Sequence, residues 1–125
     1  MQKKLVMLKK TDEFSSVFNF RQRVSSVFFT LHFLPKQGIE AQGARFGFIV
    51  AKKKVKLSVE RNYMRRVLRE LCRATDLPIH ADLVIQAQKK FEHTEFDAVK
   101  ADFSLILQKI MKKLPQPTAE KPINA

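Results

Sequence analysis

Apolar residues recur with helical spacing in three parts of this chain and with strand-like density in three others. Phe14, Val17 and Phe18 fall at i, i+3 and i+4 and mark one face of a short helix. Thr11 precedes them as an N-cap, with Asp12 and Glu13 in the first turn, where the helix dipole favours carboxylates. Residues 24–34 are dense in β-branched and aromatic side chains and predict a strand with unequal faces. Phe29, Leu31 and Phe33 are apolar, whereas Phe28, Thr30 and His32 are mixed. A loop with Gly38 and Gly43 separates it from a short, nearly all-apolar strand over residues 45–51, expected to be buried on both faces.

Ser58 is placed to cap a second helix that runs to about Ala74 and stops at Asp76, Leu77 and Pro78. Met64, Val67, Leu68, Leu71 and Cys72 form its apolar stripe. Leu83, Val84 and Ile85 predict a central strand over residues 82–88. Thr94 is placed to cap a last helix with Phe96, Val99, Phe103, Ile106, Leu107, Ile110 and Leu114 at helical spacing. From Pro115 there are three prolines in eight residues, which predicts a disordered tail over 115–125 behind a single domain over 1–114. The fold class is α+β: one small central β-sheet packed with three helices, in the order α-β-β(-β)-α-β-α.

Charge changes the picture most. The 125 residues carry a formal net charge of +12, and ten basic side chains lie between Arg45 and Arg73 against only Glu60 and Glu70. A field so concentrated attracts a polyanion, and nucleic acid is the usual one. Arg61 to Arg73 on a helix spans roughly 18 Å, enough to follow several phosphates. Arginine suits that task because its planar fork holds a phosphate bidentately and also stacks on a base. Asn62 adds a donor and acceptor for a base edge or a 2′-hydroxyl. The competing reading is a solvated amphipathic face, but such faces mix signs and place Glu to pair at i+4. Here Glu60 meets Met64 and Glu70 meets Ala74 at that spacing.

Other features exclude rather than assign. One cysteine, Cys72, excludes an internal disulfide framework and a cysteine-rich zinc module, and fits a reducing, cytoplasmic setting. The apolar run at residues 5–8 is too short for a signal peptide or a membrane span, so a soluble chain with no membrane partner is expected. His32, His80 and His93 sit in no motif, and neither Asp12 with Glu13 nor Asp82 with Asp102 has metal-clamp spacing. No catalytic or metal-ligating residue is therefore assigned to the polypeptide, and no cofactor. The eleven phenylalanines serve either core packing or base stacking. Phe29, Phe33, Phe46, Phe48, Phe96 and Phe103 read as core, and Phe14, Phe18 and Phe28 are open to both. A helix-turn-helix DNA reader would place another helix before the basic one, where this chain has a strand and a lysine-rich loop, so DNA is not the expected partner. A ribosomal or RNA-chaperone-type basic protein is the alternative.

The basic segment resembles the signature of the bacterial ribonuclease P protein family, Arg-Asn-Arg followed by an aliphatic residue and Lys/Arg-Arg. It stands here as Arg61-Asn62-Tyr63-Met64-Arg65-Arg66, preceded by Gly47-Phe48-Ile49-Val50-Ala51-Lys52-Lys53. Leu8-Lys9-Lys10 through Phe14 and Phe18 is similar to the family's amino-terminal helix, and the resemblance covers about residues 5 to 112. It implies a subunit that helps a catalytic RNA remove the 5′ leader of precursor tRNA, with magnesium and the hydrolysis on the RNA. It places Lys52, Lys53, Arg61, Asn62, Arg65, Arg66 and Arg69 on the RNA-binding surface. Phe14, Phe18, Phe28, Thr30 and His32 fall along a cleft for the leader. It also implies a left-handed crossover between parallel strands, against the usual hand. Three positions depart from the pattern. Tyr63 replaces the usual second arginine, with either a stacking role or a lost phosphate contact. The loop from Lys53 to Ser58 lacks a glycine that many relatives carry, and His32 stands where an aromatic residue is common.

Overall fold

A computed structural model describes residues 6–36, 43–75 and 80–113. Helix α1 (Thr11–Phe20) leads into strands β1 (Arg23–Ser25), β2 (Phe29–Pro35) and β3 (Ala44–Ile49). Helix α2 (Ser58–Arg73), strand β4 (Ala81–Ala87), one 3₁₀ turn (His93–Glu95) and helix α3 (Phe96–Lys113) follow. The four strands form one sheet in the order β1-β2-β4-β3, antiparallel except for the parallel β3–β4 pair that α2 connects. This is the α+β arrangement of three helices and one sheet that the sequence predicts.

Alternation along the strands divides the sheet into two faces. Phe29, Leu31 and Phe33 pack with Leu83, Ile85 and Phe46 against Met64, Leu68 and Leu71 of α2 and Phe103, Ile106 and Ile110 of α3. The opposite face carries α1, where Val17, Leu8 and Val84 are buried with Phe14, Phe18, Leu34 and Ile49 beside them. Both faces of β3 are indeed covered in part: Phe46 enters the larger core, and the Phe14 ring sits directly on Gly47.

The predicted strand over residues 24–34 is a hairpin. Ser26, Val27 and Phe28 turn the chain between β1 and β2, and a residue far along the sequence holds that turn. Asp102 of α3, 8% exposed, accepts from Ser26 Oγ (2.6 Å), the Phe28 amide (2.9 Å) and the Val27 amide (3.2 Å). No glycine, proline or asparagine marks this turn, and Ser26 within it is only a weak turn signal.

Helix starts also differ from the expected caps. Thr11 and Ser58 are the first helical residues, after Lys10 and Leu57 at the N-cap positions. Glu13 Oε1 instead reaches back to the amides of Lys9 (2.7 Å) and Lys10 (3.0 Å), satisfying donors that a helix start leaves open. Thr94 lies within the 3₁₀ turn that precedes α3 rather than capping it. Phe96 is 37% exposed rather than a core residue. Helix α1 stops at Arg21, whose φ of 63° is left-handed. The proposed stop at residues 76–78, Gly38, Leu114 and the tail 115–125 lie outside the described residues.

Segment 6–8 is an addition that the apolar pattern did not predict. Leu8 donates to the Phe46 carbonyl (2.7 Å) and Phe46 donates to the Val6 carbonyl (2.9 Å), so the chain start shields the outer edge of β3.

Candidate nucleic-acid interface

Strand register produces three side-chain rows across the α1 face. Leu34, Asp82 and Arg45 form one, His32, Val84 and Gly47 the next, and Thr30, Gln86 and Ile49 the third, extended onto β1 by Ser25. Helix α1 closes over the first two. Glu13 meets Arg45 (3.2 Å), Phe14 covers Gly47, and Phe18 packs edge-on against His32 with ring centroids 4.6 Å apart. In the third row Ile49 packs against the α1 core, and the polar Thr30 and Gln86 form the floor of a groove beside the helix. Thr30 and Gln86 are half-buried there, Ser25 Oγ lies 3.4 Å from Thr30 Oγ1, and His32 Nε2 lies 3.0 Å from Gln86 Oε1. The groove therefore offers an aromatic wall and a polar floor, which suits a base that stacks on one side and hydrogen-bonds on the other.

Phe14, Phe18, Thr30 and His32 are thus brought together, but Phe28 is not. It is 6% exposed, lies in the core on the other face, and packs edge-on against Phe91 at 6.0 Å, with the Lys89 ammonium 4.7 Å from its ring centroid. Its position in the hairpin turn, rather than in a continuous strand, breaks the alternation that would put it on one face with Thr30 and His32. Gln86 and Ser25 were missed by sequence reading because their place on the floor depends on register between strands.

The basic surface is built around α2. Its apolar stripe faces the core, leaving Asn62, Arg66 and Arg69 exposed and Arg65 half-buried on the outer side. Lys52 and Lys53 occupy an exposed turn just before the helix. Among the described residues Lys52, Lys53, Arg66 and Arg69 make no ion pair, so their charge is available to a polyanion. Arg65 reaches Asn62 Oδ1 at 3.4 Å, and Arg73 is paired with Glu70 at 2.8 Å.

Two arginines counted in the basic stretch have other work. Arg61 donates to the carbonyls of Val55 (3.0 Å) and Lys56 (2.9 Å), closing the lysine-rich turn onto the helix. Arg45 lies in the opposite layer against Asp82 and Glu13. Hydrogen bonds to Asp82 raise its pKa. Glu13 is lowered to about 2 by the amides of Lys10 and Lys9, with Arg45 contributing.

Tyr63 turns to the flank of α2, where its ring packs edge-on against Phe91 (6.3 Å) and His93 (6.5 Å). His80 Nδ1 accepts from the Gly43 amide at 2.8 Å. Cys72 is buried, and burial pushes its thiol pKa up. Among the described residues no group of three or more His, Cys, Asp or Glu side chains converges on a metal-sized site. No helix there is long and apolar enough to cross a membrane.

An α+β scaffold with an unpaired arginine surface and an aromatic-walled groove defines a small, basic RNA-binding protein. The Ribonuclease P family model matches residues 1–111. The ribonuclease P protein component of Azoarcus sp. is 38% identical over 111 residues, covering 87% of this chain and 86% of the relative. That of Chromobacterium violaceum is 38% identical over 108 residues, covering 86% and 84%. The fold is shared with the Staphylococcus aureus RNase P protein (TM-score 0.73, 21% identity, 90% of this chain and 100% of that one). It is shared also with the RNase P protein from Thermotoga maritima (TM-score 0.58, 22% identity, 86% and 94%). The chain belongs to the ribonuclease P protein family, whose members are the protein subunit of a tRNA-processing ribonucleoprotein endoribonuclease.

Proposed function

We propose that this subunit divides its work between two surfaces. The outer side of α2 and the turn before it hold the catalytic RNA, through Lys52, Lys53, Asn62, Arg65, Arg66 and Arg69, with Arg61 shaping the turn. The groove between α1 and the sheet holds the single-stranded 5′ leader of precursor tRNA, with Phe18 and His32 as wall and Thr30 and Gln86 as floor. Phosphodiester hydrolysis, with its magnesium, belongs to the RNA. The polypeptide contributes charge neutralisation and a fixed path for the leader. The lone buried thiol of Cys72 supports work in a reducing compartment such as the cytoplasm.

The observation that supports this reading is that Thr30 and Gln86, the polar members of the sheet's third row, stay half-buried beside Phe18 and His32. A core built only for stability would extend α1 or an apolar side chain over Thr30 and Gln86, yet both remain half-buried beside an aromatic wall. Stacking on an aromatic ring is worth about 1–3 kcal/mol per base. Phe18→Ala is expected to weaken handling of precursor tRNA with a long leader by roughly 5- to 150-fold, while a one-nucleotide leader is handled almost as before. Equal loss on both substrates would make Phe18 a packing residue and remove the leader from the groove.

A further inference from the structure

The polar floor of the groove leads to the open edge of the sheet. It runs from Gln86 on β4 through Thr30 on β2 to Ser25 on β1, the edge strand. At the other end Gln86 lies beside β3, which stops at Ile49, three residues before Lys52. Arg23 stands at the β1 end. Its register partner is His32, whose ring packs on Phe18, and the buried Val24 that follows it enters the core on the opposite face. Arg23 and Ser25 thus share the face of the groove. The Arg23 side chain is exposed and makes no ion pair among the described residues. Lys109 of α3 brings a second cation to this edge, its ammonium 2.8 Å from the Ser25 carbonyl.

Little opposes these charges. Between Glu13 and Glu60 the sequence has one acidic residue, Glu40, and between Asp102 and Glu120 it has none. Asp102 itself is buried and is taken up by the three donors of the hairpin turn. Other basic residues of this corner have a local reason for their place. Arg21 sits at the C-terminal end of α1, and Lys112 and Lys113 lie in the last turn of α3, where the helix dipole favours cations. Arg23, on a strand, answers to no helix dipole.

Resting on the reading that the groove carries the 5′ leader, we propose that Arg23 binds a leader phosphate at the β1 mouth of the groove. A guanidinium fork fits that anion, and the strand reaches it straight from Thr30 and Ser25. The contact also gives the leader a direction. The nucleotides next to the cleavage site lie towards the lysine-rich turn and the catalytic RNA, and the 5′ nucleotides leave over β1. From Gln86 to Ser25 the floor crosses β4, β2 and β1, about 10 Å, or about three nucleotides at a stacked rise of about 3.4 Å. Arg23 is thus reached only by leaders longer than about three nucleotides.

The experiment measures the affinity of the holoenzyme, reconstituted with a bacterial ribonuclease P RNA, for precursor tRNAs of graded leader length at several salt concentrations. Arg23→Gln, Arg23→Lys and Phe18→Ala are compared with wild type, and urea midpoints check that the Arg23 variants fold. Expected is a several-fold loss in Arg23→Gln on long leaders, with the slope of log affinity against log salt lowered by about 0.7. A one-nucleotide leader should bind as to wild type, and Arg23→Lys should restore the slope. Wild-type behaviour of Arg23→Gln on long leaders, beside a leader-dependent loss in Phe18→Ala, would overturn the proposal and leave Arg23 as a charged guard of the sheet edge. Equal loss at every leader length would overturn it in favour of the tRNA body. Weaker binding of the catalytic RNA without substrate would overturn it in favour of that partner. No dependence on leader length in either Phe18→Ala or Arg23→Gln would remove the underlying reading of the groove.

Discussion

Arg45 grips Asp82 with two parallel hydrogen bonds, Nε to Oδ1 and a terminal nitrogen to Oδ2, each 2.8 Å long. Its other terminal nitrogen reaches Glu13 Oε2 at 3.2 Å. Through this one guanidinium the first turn of α1 is tied to two strands of the sheet. The distance between helix and sheet, and with it the width of the groove, is therefore set by a polar clamp at one end and by Phe14 and Phe18 further along.

Asp82 is 2% exposed, and without Arg45 its buried carboxylate keeps the looser contact of Lys36 Nζ at 3.8 Å in place of two 2.8 Å hydrogen bonds. Arg45→Met is expected to destabilise the fold by about 3 kcal/mol, read as a shift in the urea midpoint. Adding Asp82→Asn should recover part of that loss, because the weakly partnered charge disappears with it. The salt slope for RNA binding should be unchanged in Arg45→Met, in contrast to an arginine on the outer face of α2.

The clamp also gives a pH signature. Folding lowers the Glu13 pKa from 4.5 to about 2, chiefly through the Lys10 and Lys9 amides. The folded state thus favours the ionised form, and its contribution is complete above the ordinary carboxylate value and lost as pH falls towards 2. Wild type should exceed Glu13→Gln in stability at pH 6, and the difference should shrink between pH 4.5 and pH 2. A constant difference across that range would mean that the carboxylate does not hold the helix start.

Gly47 leaves room for Phe14. A Cβ at residue 47 would stand 2.5 Å from two carbons of that ring, closer than any real contact. Gly47→Ala is expected to push Phe14 and α1 outward at a cost of about 1–3 kcal/mol and to reduce leader-dependent cleavage. Phe14→Leu placed in the Gly47→Ala background should relieve the clash and return stability towards wild type, which denaturation of the four variants of the cycle would measure.

Arg61 and Arg66 separate structure from binding. Arg66→Ala should leave the urea midpoint unchanged and lower the salt slope for the catalytic RNA by about 0.7–0.9. Arg61→Ala removes two hydrogen bonds to backbone carbonyls and should lower stability by about 1–3 kcal/mol as well as affinity. Loss of stability in Arg66→Ala would show that its side chain is not free.

Much of this was legible in the residues because local periodicity carried it. The helical spacing of Met64, Val67, Leu68 and Leu71 placed α2 with its arginines outward, and Leu83, Val84 and Ile85 marked a strand that is central in the sheet. What escaped were features set by contacts across the chain. Asp102 makes the turn that divides β1 from β2 and carries Phe28 into the core, 74 residues away in sequence. Arg45 belongs to the basic run by sequence, but Asp82 and Glu13 neutralise it in the fold. Gln86 joins the groove only through its register with Thr30, and His93 meets Tyr63 only once α2 and the turn before α3 are packed together.

The proposed work of this chain is to assist a catalytic RNA on precursor tRNA. The most direct measurement is 5′-leader cleavage at low magnesium by a bacterial ribonuclease P RNA, with and without the protein, beside the protein alone. Stimulation that requires both components, with no cleavage by the polypeptide by itself, is the expected result. Cleavage by the protein alone, or tight RNA binding with no effect on cleavage, would contradict it.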